Sequence, residues 1–301
     1  MLVLGGNGFI GSHVVDNLLS AGHFVRVFDR SDNGMAAKQD NAEYFIGDFN
    51  DTSFLMEALT EIDVVFHGIS ATVPSTSNLD PINDVESNLI GTLRLLQLMS
   101  KVDIKRIVYL SSGGTIYGNT AAQFVDESHS INPICSYGIV KACIENYLFM
   151  YQELYGFRPT VLRPSNPYGA RQGHVGLQGV IGTFLAKIHK NEQIEIWGDG
   201  SVIRDFVYVD DVAQICLKAI EANVNGTFNV GGGRGYSIKE VIETIAEITE
   251  TDIDAVFQPS RNFDVARVVL DISRAKRTFN WQPKTTLPHG ISKIWHDLLS
   301  N

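Results

Sequence analysis

Tyr137 and Lys141 stand four positions apart in SYGIVKACIENYL, which places a phenol and an ammonium on one face of a helix. A free tyrosine titrates near ~10, so its use as a base near neutrality needs neighbouring positive charge to favour the phenolate. Lys141 is placed to supply that field. A second cluster, SSGGTIYG at residues 111 to 118, follows the apolar run IKRIVYL and brings three hydroxyls, two glycines and a tyrosine into eight positions. Either cluster has a plain structural reading as well. Tyr-x-x-x-Lys recurs on many helices, and a hydroxyl-rich stretch after a strand is often only a turn.

The third chemical feature is GGNGFIG, with Gly5, Gly8 and Gly11 spaced three apart between LVL and the amphipathic SHVVDNLLSAG. At a strand-to-helix turn such glycines permit a tight backbone path and close approach of a pyrophosphate to exposed helix N–H groups. The next strand, HFVRVFD, ends in Asp29, whose carboxylate can accept both hydroxyls of an adenosine ribose and would repel a 2′-phosphate. A dinucleotide is expected, NAD rather than NADP, although the neighbouring Arg30 works against that preference.

The elements that must position these groups alternate in type. Short β-rich runs (LVL, HFVRVFD, IDVVFHG, IKRIVYL) are separated by stretches of helical period (SHVVDNLLSAG, DTSFLMEALTE, VESNLIGTLRLLQLMSK). That order predicts an α/β fold, a doubly wound parallel sheet with helices on both faces. After residue 155 the alternation loosens. RPTVLRPSNPYG reads as strand and loop, and GVIGTFLAKIHK as a helix. IEIWGDG reads as a short strand and turn, and GTFNVGGG as a strand entering a glycine turn, while DDVAQICLKAIEA and SIKEVIETIAEIT have amphipathic spacing. A smaller C-terminal α/β lobe is expected over 165–301, with some segments returning to the domain formed by 1–164.

The 34 acidic and 24 basic side chains give a formal charge of −10, which argues against a general phosphate-backbone binder. No nucleic-acid partner is expected. Cys135, Cys143 and Cys216 are odd in number and lack metal-ligand spacing, so no metal site and no disulfide framework is indicated. The opening MLVLGGNGFIG is broken by glycines and has no basic leader, and no apolar run reaches membrane-spanning length. Cytoplasmic residence, with no membrane partner, is the expectation.

Taken in order, GGNGFIG, Asp29, SSGGTIYG and SYGIVK resemble the extended short-chain dehydrogenase/reductase family, in its nucleotide-sugar epimerase and dehydratase branch. GDFND at 47 to 51, VVFHG at 64 to 68, SNLIGT at 87 to 92, LRPSNPYG at 162 to 169 and GDGSVIRDFVYVDDVA at 198 to 213 extend the resemblance over nearly the whole chain. It implies a modified Rossmann domain that holds NAD and a second lobe that holds a sugar nucleotide. Cofactor contacts would come from Gly5, Gly8, Phe9, Ile10, Gly11, Asp29 and Arg30. Asp48 and Phe49 would flank the adenine, Asn88 would support the nicotinamide end, and Lys141 would bond the nicotinamide ribose. Ser111, Pro164 and Tyr137 complete the set. Asn166 and Arg204 match positions that hold the diphosphate. Arg261 and Asp264 in PSRNFDVARVVLD match a phosphate-binding arginine and a ribose-binding acid, with Arg267 as a competitor for the first role.

Departures from the branch narrow the reaction. Dehydratases of this branch carry an acidic Asp-Glu pair where this chain has Gly114 and Thr115. The serine usual in epimerases aligns with Gly113, which leaves Thr115 as the first candidate to hydrogen-bond the sugar oxygen and Ser112 as the second. Tyr137 and Lys141 are both present. The resemblance therefore implies a 4-epimerase of a UDP-hexose or UDP-N-acetylhexosamine, acting by transient oxidation at C4. A small residue, Val268, at a position that is often tyrosine in hexose-restricted enzymes suggests room for the N-acetyl group. The alternatives are an NAD(P)H-dependent reductase of nucleotide 4-keto-sugars and a noncatalytic dinucleotide-sensing protein. The family habit of pairing the helices that begin near Asn88 and Tyr137 implies a homodimer.

Overall fold

The computed structural model describes residues 1–172, 179–253, 255–259 and 265–300. The chain opens with β1 (Leu2–Leu4), α1 (Phe9–Ser20), β2 (Val25–Asp29), β3 (Ala42–Ile46), α2 (Thr52–Ala58) and β4 (Val64–His67). A short helix α3 (Pro81–Asp84) runs through a π-helical stretch at Val85–Ile90 into α4 (Gly91–Lys101). Then follow β5 (Arg106–Leu110), the long α5 (Ser136–Tyr155) and β6 (Arg158–Pro164). The remainder holds β7 (Asn166–Tyr168), α6 (Val180–His189), β8 (Ile194–Trp197), β9 (Ile203–Tyr208), α7 (Val209–Ala222) and β10 (Gly226–Val230). It ends with β11 (Gly235–Ser237), α8 (Ile238–Thr249), β12 (Ala255–Gln258), β13 (Arg267–Val268), α9 (Ser273–Phe279) and α10 (Leu287–Ser300).

Seven strands form one sheet in the order β10-β6-β5-β4-β1-β2-β3, and each neighbouring pair is parallel. The physical reason lies in strands such as LVL, apolar at every position and buried on both faces, which only helices on both sides can cover. One face packs Val14, Leu18, Val212 and Ile215 of α1 and α7 against the sheet; the other packs Leu95, Met99, Ile144 and Leu148 of α4 and α5. Strand order reverses between β1 and β4, and a crevice opens above such a point at the carboxyl ends of the strands. β10 returns from the C-terminal part of the chain to form one edge of the sheet beside β6.

The smaller lobe is built from β7, β9, β11 and β13, the β8–β12 pair, and helices α6, α8 and α10 around a separate core that includes Phe184, Leu185, Ile245 and Ile291. Asp205 of β9, fully buried, ties this lobe to the sheet. Its carboxylate accepts from the amides of Gly232 (2.6 Å) and Leu270 (3.1 Å), and burial lifts it to about 7 against the pull of these bonds. No helix among the described residues is long and apolar enough to cross a membrane.

Candidate active site

A cavity of about 1050 Å³ lies above the carboxyl ends of the sheet strands and reaches the smaller lobe. Its floor is the turn from β1 to α1. Gly5 has φ +82°, its amide bonds the Phe28 carbonyl (2.9 Å), and Gly8 donates to the Gly5 carbonyl (3.1 Å). A β-carbon on Gly11 would fall 2.0 Å from the Gly5 carbonyl oxygen, so the helix sits directly on the turn. Gly8 caps α1 without a side chain, and no acid stands in the first turn, which leaves its N–H groups facing the cavity. Asp29 accepts from the amides of Asn7 (3.0 Å) and Ser31 (3.4 Å), so it shapes the turn as well as lining the cavity. Asn7, not foreseen from the sequence, braces the same corner by donating to the Ser31 carbonyl at 2.7 Å.

Tyr137 and Lys141 lie on the first turns of α5 and both line the cavity. Lys141 is 5% exposed. Its ammonium donates to the Leu110 carbonyl at 2.9 Å and sits 4.9 Å from the Tyr109 ring centre and 5.5 Å from that of Tyr137. Burial pulls Lys141 down to about 8, while the charges of Asp84 and Glu145 hold it up. Burial likewise pushes the Tyr137 phenol up to about 12, only partly offset by hydrogen bonding with Ser70 and Ser112. At neutral pH the resting phenol is therefore protonated. Lys141 alone does not convert it to a base.

The stretch after β5 brings Ser112 and Thr115 into the cavity, with the Thr115 hydroxyl donating to Ser112 at 2.9 Å. Ser112 thus touches both Thr115 and the Tyr137 phenol. Gly113 corrects the sequence reading: it is not on the cavity wall, and a β-carbon there would meet Leu270 at 2.6 Å and the Arg163 carbonyl at 2.8 Å. A serine at 113 would point into the core, so glycine removes no hydroxyl from this cavity. Ser111 lines the cavity but commits its hydroxyl to Glu145 at 2.5 Å.

Phe9, Ile10, Arg30, Asp48, Phe49 and Pro164 also line the cavity. Asn88 does not. It is buried behind the 70–72 loop, accepting from the Ala71 amide (2.8 Å) and donating to Asp84 (2.9 Å). On the far side Asn166 donates to the Asp205 carbonyl (2.8 Å), and the Arg204 guanidinium donates to the carbonyls of Ile203 (3.0 Å) and Val265 (2.5 Å). Arg261 and Asp264 lie outside the described residues. Arg267 donates to the Gln123 carbonyl (3.4 Å) and is not among the described residues that line this cavity. Val268 is 1% exposed in the main core and is not among the described residues that line this cavity.

Residues 1–231 match the model of the NAD dependent epimerase/dehydratase family. The chain belongs to that family. Over 304 aligned residues, spanning 100% of this chain and 99% of the relative, it is 37% identical to a putative UDP-glucose 4-epimerase of Methanocaldococcus jannaschii. The crystal structure of UDP-glucose 4-epimerase with UDP-glucose from Thermotoga maritima superposes with a TM-score of 0.94 at 35% identity, covering 100% of this chain and 99% of that one. UDP-N-acetylglucosamine 4-epimerase from Methanobrevibacter ruminantium, in complex with UDP-N-acetylmuramic acid, follows at a TM-score of 0.93 and 29% identity, covering 99% and 97%.

The NAD of this epimerase/dehydratase family fits the residues present. The glycines let α1 start directly on the β1 turn, with the uncapped first N–H groups of the helix at the cavity floor, Asp29 stands where a ribose is expected, and the cavity exceeds the ~300–1,000 Å³ usual for one small ligand. The sequence reading missed the groups that hold the start of α5, the helix that carries Tyr137 and Lys141. Cys135 gives α5 no side-chain cap; instead the Ser136 amide donates to Asn78 Oδ1 (2.9 Å) and the Tyr137 amide to Ser77 Oγ (3.1 Å). No local sequence signal could reveal caps contributed from 60 residues away.

Proposed function

We propose that this chain is a UDP-hexose 4-epimerase, with residues up to about 164 mainly holding the cofactor and those after it mainly holding the sugar nucleotide. The observation that carries this reading is the convergence of the Tyr137 phenol, the Lys141 ammonium and the Ser112–Thr115 hydroxyl pair on the cavity that also contains the glycine turn. The relatives named as UDP-glucose 4-epimerases support it. Gly5, Gly8, Gly11, Asp29 and Lys141 would hold NAD, which when bound supplies reversible oxidation at the sugar C4. Tyr137 takes the proton of the C4 hydroxyl and returns one when the other epimer forms. Ser112 and Thr115 hold the C4 oxygen through both halves of the cycle. Asn166 and Arg204 meet the diphosphate, for which a guanidinium fork is suited.

Incubation with a panel of UDP-, dTDP- and GDP-sugars, with and without added NADH or NADPH, tests the proposal through product stereochemistry. Conversion of a UDP-sugar without added reductant is expected. Strict dependence on NADPH with a 4-keto substrate would replace the epimerase with the reductase, and silence toward every sugar nucleotide would favour a sensing role. Because each of Ser112 and Thr115 offers the substrate oxygen a hydrogen bond that strengthens as charge develops, Thr115→Val and Ser112→Ala should each lower kcat by about 10-fold or more. Two near-normal rates would leave Tyr137 acting without either.

The same proposal includes a homodimer in the cytoplasm. Ile139, Tyr147, Met150 and Leu154 form one exposed stripe along α5, with Ile82 and Val85 also exposed on the neighbouring α3 and π-helical segment. Light scattering is expected to give twice the 33.2 kDa chain mass, and a monomer at micromolar concentration would count against it. The three cysteines are free, which suits a reducing compartment.

A further inference from the structure

Asp84, the last residue of α3, is fully buried and lies outside the cavity wall. Its carboxylate uses both oxygens. Oδ1 accepts from the Thr72 hydroxyl at 2.6 Å and the Asn88 amide at 2.9 Å, and Oδ2 accepts from the Ser136 hydroxyl at 2.6 Å. No ion pair to it occurs among the described residues. These donors belong to two different walls of the site. Thr72 lies in the loop that carries Ser70, a partner of the Tyr137 phenol, and Asn88 holds the Ala71 amide of that same loop. Ser136 is the first residue of α5 and the immediate neighbour of Tyr137.

We propose that Asp84 is a positioning residue for the epimerisation, clamping the Tyr137-bearing first turn of α5 to the 70–72 loop so that phenol and loop hydroxyl keep a fixed separation. This inference rests on the reading of Tyr137 as the acid–base group. Two features make the clamp necessary. α5 begins without a side-chain cap of its own, so the amides and hydroxyl that open it are met by Ser77, Asn78 and Asp84 from a distant part of the chain. The phenol must also serve both epimers from one place, and a displacement on the order of 1 Å can cost about 10²-fold in rate.

Asp84 adds charge as well as geometry. Besides Asp84, the titratable groups that face Tyr137 and Lys141 are Cys135 and Glu145 around α5, Tyr109 of β5 and His67 of β4. The negative charge of Asp84 raises both the phenol and the ammonium. Its removal therefore favours the phenolate and the neutral amine at lower pH.

Asp84→Asn keeps the shape and removes the charge, whereas Ser136→Ala cuts one hydrogen bond and keeps the charge. For Asp84→Asn, kcat at its optimum should fall about 10- to 100-fold with little change in KM, and both limbs of the pH profile should move to lower pH by on the order of half a unit or more. For Ser136→Ala, kcat should fall about 10-fold at an unmoved profile. In both, amide hydrogen exchange over 136–141 should accelerate relative to the rest of α5. Wild-type exchange and wild-type kcat in Ser136→Ala overturn the clamp, even if Asp84→Asn does not fold. If the unmodified protein converts no UDP-sugar, the exchange measurement still decides the clamp, so failure of the epimerase reading is separately visible.

Discussion

Tyr137→Phe is expected to lower kcat by about 10²- to 10⁴-fold, the usual range for losing a general acid–base group, while binding of NAD and of a UDP-sugar stays near wild type. The substitution removes one oxygen and keeps the ring, so the 5.5 Å contact with the Lys141 ammonium survives. What disappears is the group to which the proposed mechanism gives proton exchange with the sugar. In the protein alone that group is stored as an acid, with the phenol held up at about 12 and Lys141 down at about 8 by burial. Conversion to a base requires more positive charge beside the phenol than Lys141 supplies. An acid limb in the wild-type kcat profile, well below 12 and absent from the variant, is the accompanying sign. Product stereochemistry gives kcat, and absorbance of the cofactor released on denaturation gives its occupancy. A variant within about 3-fold of wild type would sink the acid–base role and favour a sensing function.

Much of this arrangement was legible in the sequence because its determinants are local. GGNGFIG between LVL and an amphipathic run can form only a few turns, and Tyr137 and Lys141 share a helical face whatever else surrounds them. Alternating strands and helices likewise led to the parallel sheet. Less legible was orientation that depends on partners far along the chain. At Gly113 the fate of a side chain is decided by Leu270 and the Arg163 carbonyl, and at Val268 by the register of β13 on β9. Asn88 keeps its place beside the site but acts from behind the loop, because Asp84 and Ala71 claim its amide. The third strand, AEYFI, was not singled out either, since its residues are only partly covered at the sheet edge.

The largest stability effect is expected from Arg163→Met. Arg163 and Glu145 are 3% and 1% exposed, and the guanidinium meets the carboxylate through Nη2 at 2.5 Å and Nε at 3.0 and 3.2 Å. Nη1 donates to the Tyr117 hydroxyl (2.8 Å), which in turn donates a hydrogen bond to Asn229 Oδ1 (2.6 Å), and Ser111 also donates to Glu145. This network lies directly beneath SSGGTIYG and fixes both its ends. Methionine fills much of the volume but leaves Glu145 as a buried charge with Ser111 as its remaining side-chain donor. Breaking such a pair from one side costs about 3–5 kcal/mol, whereas replacing both partners by apolar groups is often nearly neutral. Urea melts should therefore show Arg163→Met strongly destabilised and the Arg163→Met, Glu145→Leu double variant recovering most of the loss. Turnover should not recover with it, because the double variant also takes from Ser111 and Tyr117 their charged partners and loosens the strand end that aims Ser112 and Thr115. A single variant within about 1 kcal/mol of wild type would show that the pair contributes little to the fold. Recovered stability with recovered kcat would show that the hydroxyls hold their aim without it.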